Sequence, residues 1–188
     1  FLPVVKIPEE LPTATPEGQG ALPPAAGQGW GWFKVPGVWR QSKLDNRDSQ
    51  EVLVSPWIEG RVNLETFDQA WYRRDLETPG TWKGRRLALD FTLLQTHARV
   101  YVDGKPAGEC WFPGGQVDLT AALKPGTRQS LEIFVTARPL EAESTSFSAP
   151  DRVAKSKAVV ASKGITGDVF LVSEPATQAV ADVHVICS

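Results

Sequence analysis

The chain has 188 residues, which suits one domain and is too short for a complete (β/α)8 barrel of about 250 residues. Its formal net charge is −2, and Lys and Arg are scattered, so there is no electrostatic footprint for nucleic acid. No apolar run approaches the roughly 18 residues of a membrane span, and the mean hydropathy is −0.21. We therefore expect neither nucleic acid nor a membrane as a partner.

The first 29 residues are rich in Pro, Gly and Ala and show little periodicity, which predicts an extended lead-in. We expect a single β-sandwich domain at 30–176, with 177–188 as a linker and the first strand of a following domain. The chain contains no Met, which indicates a processed or trimmed product. Its compartment stays open, with a secreted or periplasmic location as the favoured expectation.

Three segments alternate apolar and polar residues with a period of two, as strands with one face on a core do. Asp103-Gly104 follows the middle segment and predicts a type I′ turn, because both central residues of that turn need a positive φ. The pattern predicts an all-β antiparallel sandwich. The side chains expected in its core are Leu87, Leu89, Phe91, Val100, Val102, Leu131, Ile133 and Val135.

The remaining elements follow from turn residues and shorter apolar runs. A short helical turn after Asp118 is expected, with Asp118 as its N-cap, whereas 140–162 shows no clear element apart from a short strand at 158–161. Gly114, Gly115 and Gly164 are interpreted as turn residues. Strands are predicted at about 70–78, 86–94, 97–103, 107–112, 129–137, 165–172 and 180–186.

Several spaced motifs, taken in order, resemble the N-terminal sugar-binding domain of glycoside hydrolase family 2, which includes β-galactosidases, β-glucuronidases and β-mannosidases. The resemblance covers about 30–173, and the ordered set carries it. It implies a jelly-roll sandwich of the galactose-binding type, normally followed by an immunoglobulin-like domain and a catalytic barrel. The main motifs are Lys34-Val-Pro-Gly-Val-Trp39, Trp71-Tyr-Arg-Arg74, Ala98-x-Val-Tyr-Val-Asp-Gly-Lys105, Val117-Asp-Leu-Thr120 and Gly164-Ile-Thr-Gly-Asp-Val169.

The chain departs from the family pattern at three places. The aromatic residue that usually precedes the Gly164 turn is missing, Gly167 stands where Arg is frequent, and Asp103 stands where Asn is common. In some β-galactosidases this domain also lends an Asn and an Asp to the barrel's active site. Asn63 and Asp151 are the nearest candidates by position, although the motif around them does not match.

We expect no catalysis by this chain alone. Glycoside hydrolysis needs two carboxylates across the scissile bond, and the family's acid/base is the Glu of an Asn-Glu pair. The only Asn residues, Asn46 and Asn63, are followed by Arg and Leu. No cofactor and no metal site are expected, because His97 and His184 are isolated. The two cysteines, Cys110 and Cys187, either pair in an oxidising compartment or are separate small apolar side chains.

Seven Trp residues invite a carbohydrate hypothesis, because pyranose rings can stack on indoles beside polar groups. Trp30, Trp32 and Trp39 are expected to seal the sandwich or an interface, whereas Trp57, Trp82 and Trp111 look more loop-like. The candidate carbohydrate-contacting residues are Trp57, Arg61, Asn63 and Asp151.

The leading hypothesis is a non-catalytic accessory domain that scaffolds a family 2 hydrolase and lines part of its substrate site. Its expected partners are carbohydrate and the immunoglobulin-like and barrel domains of the parent chain. The alternatives are an independent carbohydrate-binding module and a protein-interaction or oligomerisation domain. We expect the isolated chain to bind sugars weakly or not at all.

Overall fold

A computed structural model describes residues 2–3, 30, 32–39, 67–138, 140–149, 152–160 and 162–177. Within these residues the regular structure is antiparallel β, with a single 3₁₀ turn at Gly80–Trp82. The predicted all-β class is confirmed. The strands are β1 Leu2–Pro3, β2 Gln69–Glu77, β3 Arg85–Phe91, β4 His97–Val102, β5 Lys105–Trp111, β6 Gly115–Asp118, β7 Arg128–Thr136, β8 Leu140–Ala149, β9 Arg152–Val160 and β10 Val169–Pro175.

Two sheets form the sandwich. The first has five strands in the order β1-β2-β7-β4-β5, and the second has three in the order β10-β3-β6. A separate two-stranded sheet consists of β8 and β9. Neighbouring strands are antiparallel throughout, and non-consecutive strands such as β2 and β7 pair, so the sandwich depends on contacts that are distant in sequence.

The core lies between the inner faces of the two larger sheets. All eight side chains predicted from the period-two pattern are buried there, none of them more than 6% exposed. Burying each one contributes about 1.5–3 kcal/mol, so this layer supplies much of the driving force for folding. The structure adds further members to the same core, namely Trp39, Tyr72, Leu94, Leu119, Leu123 and Ile165.

The β4–β5 hairpin turns at Asp103-Gly104, as predicted. Both residues have positive φ, 50° for Asp103 and 73° for Gly104. The Asp103 carboxylate accepts hydrogen bonds from Gln129 Nε2 at 2.7 Å and from the Ser130 backbone N–H at 2.9 Å. These hydrogen bonds hold the pKa of Asp103 below its usual value. The turn is therefore attached to β7 as well as connecting its own strands.

Asp118 has the structural role expected of it. Its Oδ1 accepts a 2.8 Å hydrogen bond from the Thr120 N–H, and the N–H of Leu123 bonds to the Leu119 carbonyl at 2.9 Å. A single turn of helical character thus follows β6. The sequence did not predict that Gly115–Asp118 would itself be a strand, because only Val117 in it is buried.

The prediction that 140–162 holds no clear element was wrong, although most of the short strand expected at 158–161 falls within β9. This region forms the β8–β9 hairpin, in which Leu140 lies opposite Val160 and Glu143 lies opposite Lys157. The hairpin pairs with no other strand among the described residues, and Lys157 and Val159 are exposed. The segment has no clear period-two pattern in its sequence, so a periodicity argument gives no strands there.

The last strand of the sandwich was predicted four residues too early. The structure places β10 at Val169–Pro175, whereas Ile165 lies in the preceding loop and is 1% exposed. In that loop, Gly164 forms an isolated β-bridge with Gln95. The Ile165 carbonyl accepts a hydrogen bond from the Gly37 N–H. Ile165 is thus a core side chain on irregular backbone, which a periodicity argument assigns to a strand.

The outer face of the five-stranded sheet contains an aromatic cluster. Successive side chains of a strand point to opposite faces, so one of Trp71 and Tyr72 is expected to face the core. Tyr72 does so, but Trp71 on the opposite face is also only 3% exposed. Its ring centroid lies 4.8 Å from that of Phe134 and 5.3 Å from that of Tyr101. The pairing of β2 with β7 and of β7 with β4 brings these rings together.

Candidate functional site: the loop end of the sandwich

The four residues predicted to contact carbohydrate cannot be placed, because Trp57, Arg61, Asn63 and Asp151 lie outside the described residues. The site they would form stays a prediction. His184 and Cys187 also lie outside them. Cys110 is buried and forms no disulfide within the described part of the chain, and burial raises the pKa of its thiol.

Three loops meet at one end of the sandwich, and we call this region the loop end. It consists of residues 92–96, 111–114 and 163–168. Each loop bonds through its backbone to a neighbouring loop, which makes this end of the molecule a connected surface. The bonds run from the Leu94 N–H to the Pro113 carbonyl at 2.8 Å, from Phe112 to Thr96 at 2.7 Å and from Gly167 to Leu93 at 2.8 Å.

The loop end exposes large apolar side chains. Trp111 is 56% exposed, Leu93 40% and Phe112 37%. The Trp111 indole stacks on the His97 ring, with centroids 3.9 Å apart and planes 23° apart, so its orientation is restrained. A rigid exposed indole flanked by further apolar groups is typical of a contact surface for another molecule or domain.

His97 is itself held in place by Glu109. Its Nε2 lies 3.0 Å from Glu109 Oε2. Burial lowers the pKa of His97, and the Glu109 carboxylate opposes that effect only in part. The lowered pKa favours the neutral imidazole, and because a carboxylate can only accept, Nε2 carries the proton that is donated to Glu109. The pair fixes the ring on which Trp111 lies.

Beneath the loop end, the 163–168 loop is anchored to the core. The Lys163 ammonium forms an ion pair with Asp68 and donates to the Phe67 carbonyl at 3.2 Å. The next residue, Gly164, has φ of 107°, and a Cβ there would lie 2.7 Å from Nε1 of Trp39. The loop therefore lies directly on the Trp39 indole, which only glycine permits.

The departure at Gly167 has a steric explanation. A Cβ at this position would overlap the Leu93 backbone nitrogen and Thr92 Oγ1. Any larger side chain, including the arginine frequent in the family, would therefore require the 92–93 loop to move. The close contact between the two loops takes the space that such a side chain would need.

The described Trp residues divide between core and surface. Trp39 is 2% exposed and seals the core as predicted, whereas Trp32 is 73% exposed and takes no part in sealing it. Its role in an interface stays a prediction. Within the described ranges, no group of three or more His, Cys, Asp or Glu side chains could hold a metal ion, and no helix is long and apolar enough to cross a membrane.

Two antiparallel sheets with this order and these loops form a galactose-binding-like β-sandwich. Residues 25–167 match the sequence profile of the family described as glycosyl hydrolase 2 galactose-binding domain-like. The chain belongs to this family. Membership makes it an accessory domain of the kind found in family 2 glycoside hydrolases, and the resemblance seen in its spaced motifs is confirmed.

Solved structures that match part of the chain are larger enzymes. They include β-D-glucuronidase from Dictyoglomus thermophilum (17% identity, TM-score 0.43, 57% of this chain and 21% of that one). The β-glucuronidase from Ruminococcus gnavus shows 17% identity and a TM-score of 0.44, over 57% of this chain and 19% of that one. The β-glucuronidase from Lactobacillus rhamnosus shows 23% identity and a TM-score of 0.45, over 57% of this chain and 20% of that one. The chain thus matches about a fifth of the length of each enzyme. A search of curated proteins found no match.

Proposed function

We propose that this chain scaffolds a family 2 glycoside hydrolase and forms part of the wall of the substrate site in a catalytic barrel outside the chain. The observation that carries the proposal is the exposed apolar surface of the loop end, formed by Leu93, Trp111 and Phe112. An accessory domain with this role must present one rigid surface to its neighbour, and the loop end has that property.

The rigidity comes from three kinds of contact. Backbone hydrogen bonds connect the loops, the His97–Glu109 pair orients Trp111, and the Lys163–Asp68 ion pair holds the 163–168 loop. A preorganised surface loses little conformational entropy when a neighbouring domain packs on it. Carbohydrate would then meet this chain through the assembled enzyme, with the barrel and an immunoglobulin-like domain as its direct partners.

The test uses the parent chain. The reading frame that continues beyond Ser188 should encode an immunoglobulin-like domain and a barrel with an Asn-Glu pair. Within that parent, the double replacement Trp111→Ser and Phe112→Ser should lower kcat/KM for nitrophenyl glycosides and lower the melting temperature of the barrel. Phe170→Ser is the matched control, because Phe170 is 52% exposed on β10 of the three-stranded sheet and belongs to none of the three loops.

Equal effects of the double variant and of Phe170→Ser would contradict the proposal. The melting temperatures of both variants are also measured in the isolated 188-residue chain. This comparison separates a general loss of sandwich stability from the loss of an interface. A parent without a barrel would favour the independent carbohydrate-binding or interaction module instead.

A further inference from the structure

A cleft lies at the end of the sandwich opposite the loop end. We call it the Trp82 cleft, and it has a volume of about 530 Å³. This size falls within the range of small-molecule sites. The connection between β2 and β3, the start of β3 and the turn after β6 form its walls. The residues that matter here are Trp82, Lys83, Arg85, Arg86, Asp118 and Thr120.

One wall of the cleft is apolar. Trp82 is half-buried and packs against the hydrophobic core, so its indole is supported from behind while part of it borders the cleft. Leu87 and Pro125 continue this wall. A supported indole of this kind suits the apolar C–H face of a pyranose ring.

The lining of the cleft also contains cationic side chains. Arg86 is balanced by acidic groups, because its Nη1 lies 2.8 Å from Glu174 Oε2 and its Nε 3.6 Å from Asp118 Oδ2. Arg85 is oriented by neutral acceptors only, with Nε donating to Ser173 Oγ at 2.6 Å and Nη2 to the Ser173 carbonyl at 2.9 Å. Its position is set, but its charge is not neutralised by these contacts.

Lys83 adds a second cation, one that has no acidic partner in the described part of the chain. It is exposed, and no carboxylate of the described residues lies within ion-pair distance of it. Lys83 and Arg85 both line the cleft, on either side of Gly84 in the sequence. An anionic group bound here would gain charge-assisted hydrogen bonds without displacing an internal ion pair.

We propose that the Trp82 cleft binds an acidic saccharide, with a pyranose ring against Trp82 and a carboxylate or sulfate group held by Lys83 and Arg85. Asp118 lies in the same cleft, and its carboxylate, 57% exposed, supplies an acceptor for sugar hydroxyls. A neutral saccharide would use the indole but leave both cations without a partner, so acidic sugars are preferred. This site belongs to the chain itself and does not depend on the proposed scaffold role.

The experiment titrates the 188-residue chain with three oligosaccharides and follows the indole N–H resonances by NMR. The probes are a uronic acid tetramer, a sulfated oligosaccharide and the neutral counterpart of the uronic acid tetramer with its carboxylates reduced. The Trp82 resonance is identified by its loss in Trp82→Phe. At least one acidic probe should shift it saturably in the millimolar range, and the two acidic arms distinguish carboxylate from sulfate as the bound group.

Lys83→Glu should weaken the binding of that acidic probe by about 5-fold or more, since it removes one attraction and adds a repulsion. Lys105→Glu is the matched control, because Lys105 is an exposed lysine at the start of β5, outside the cleft, and its reversal changes the net charge equally. Equal affinities of the two variants, equal binding of the neutral probe, or the absence of a saturable shift with both acidic probes would each overturn the proposal.

Discussion

The Trp39 indole donates a 2.6 Å hydrogen bond from Nε1 to the Tyr72 hydroxyl, across 33 positions of sequence. Both side chains are buried, and their rings stack with planes 25° apart. The Tyr72 hydroxyl also contacts the backbone of Ile165, in the loop that reaches the loop end. This pair therefore connects the 32–39 segment, strand β2 and the 163–168 loop, and it is the best place to test how the core supports the candidate site.

The first prediction concerns the energy of this pair. Tyr72→Phe leaves a buried indole N–H without its acceptor and should lower the free energy of unfolding by about 1–3 kcal/mol. In a double-mutant cycle with Trp39→Phe, the combined loss should be smaller than the sum of the single losses by about 0.5–3 kcal/mol. Urea unfolding measures all four proteins, and strictly additive losses would show that the hydrogen bond is not coupled.

Alkaline pH gives a second test of Tyr72. Burial raises its pKa well above the ordinary value of 10.0, so the folded protein retains a proton that the unfolded chain releases. The stability contributed by this retained proton is complete below pH 10 and is lost above it, at up to about 1.4 kcal/mol per pH unit. Tyr72→Phe should lose stability less steeply than wild type above pH 10, and parallel urea-derived profiles would contradict the assignment.

The third prediction compares two glycines that both have positive φ. Gly164→Ala adds a Cβ 2.7 Å from Nε1 of Trp39, whereas Gly84→Ala adds one with no atom within 4 Å. Both variants carry backbone strain of about 1–2 kcal/mol, but only Gly164→Ala also overlaps a core side chain. Its melting temperature should therefore fall clearly further than that of Gly84→Ala. Equal shifts would mean that the loop moves away from Trp39 without cost.

The fourth prediction concerns the Asp103 turn at acid pH. Its carboxylate is stabilised by Gln129 and Ser130, which hold its folded pKa below the unfolded value of 3.8. This stability is present above pH 4 and is lost as the pH falls through the folded pKa. Asp103→Asn tolerates the same positive φ, so it keeps the turn; it removes the titration together with one of the two acceptor oxygens, a loss that does not depend on pH. Its unfolding free energy should fall less than that of wild type below pH 4, as measured by urea titrations at several pH values.

The fifth prediction is that the 188-residue chain does not hydrolyse glycosides. The sequence holds no Asn-Glu pair and is shorter than a (β/α)8 barrel. Nitrophenyl galactoside, glucuronide and mannoside should therefore release no nitrophenol above a mock purification from the same host. Turnover that co-purifies with the chain and persists after that control would show that it carries a catalytic pair of its own.

Much of the sandwich could be predicted because its core strands repeat with a period of two. The burial of Leu87, Val100 and Ile133 is predicted by the alternation of apolar and polar neighbours in sequence. The turn at Asp103-Gly104 is predicted by the positive φ values that these two residues tolerate. These signals are local, so they need no knowledge of which strands pair. The order of the spaced motifs indicated the family, and the match of residues 25–167 to the family profile confirmed it.

Other features depended on partners that are distant in sequence. Trp71 is buried on an outer sheet face because β2 pairs with β7, and Trp111 is fixed because β4 and β5 place it against His97. The Trp82 cleft likewise combines segments from three parts of the chain.

The amino-acid sequence by itself thus determined the fold class, the core strands and the hairpin turn, because alternating burial and backbone φ preferences act between near neighbours. Only the tertiary structure decided the β8–β9 hairpin, the irregular backbone at Ile165 and the surfaces offered to other molecules. The β8–β9 segment has no clear periodic pattern in its sequence, and a surface site is defined by distances between side chains that sequence order does not encode.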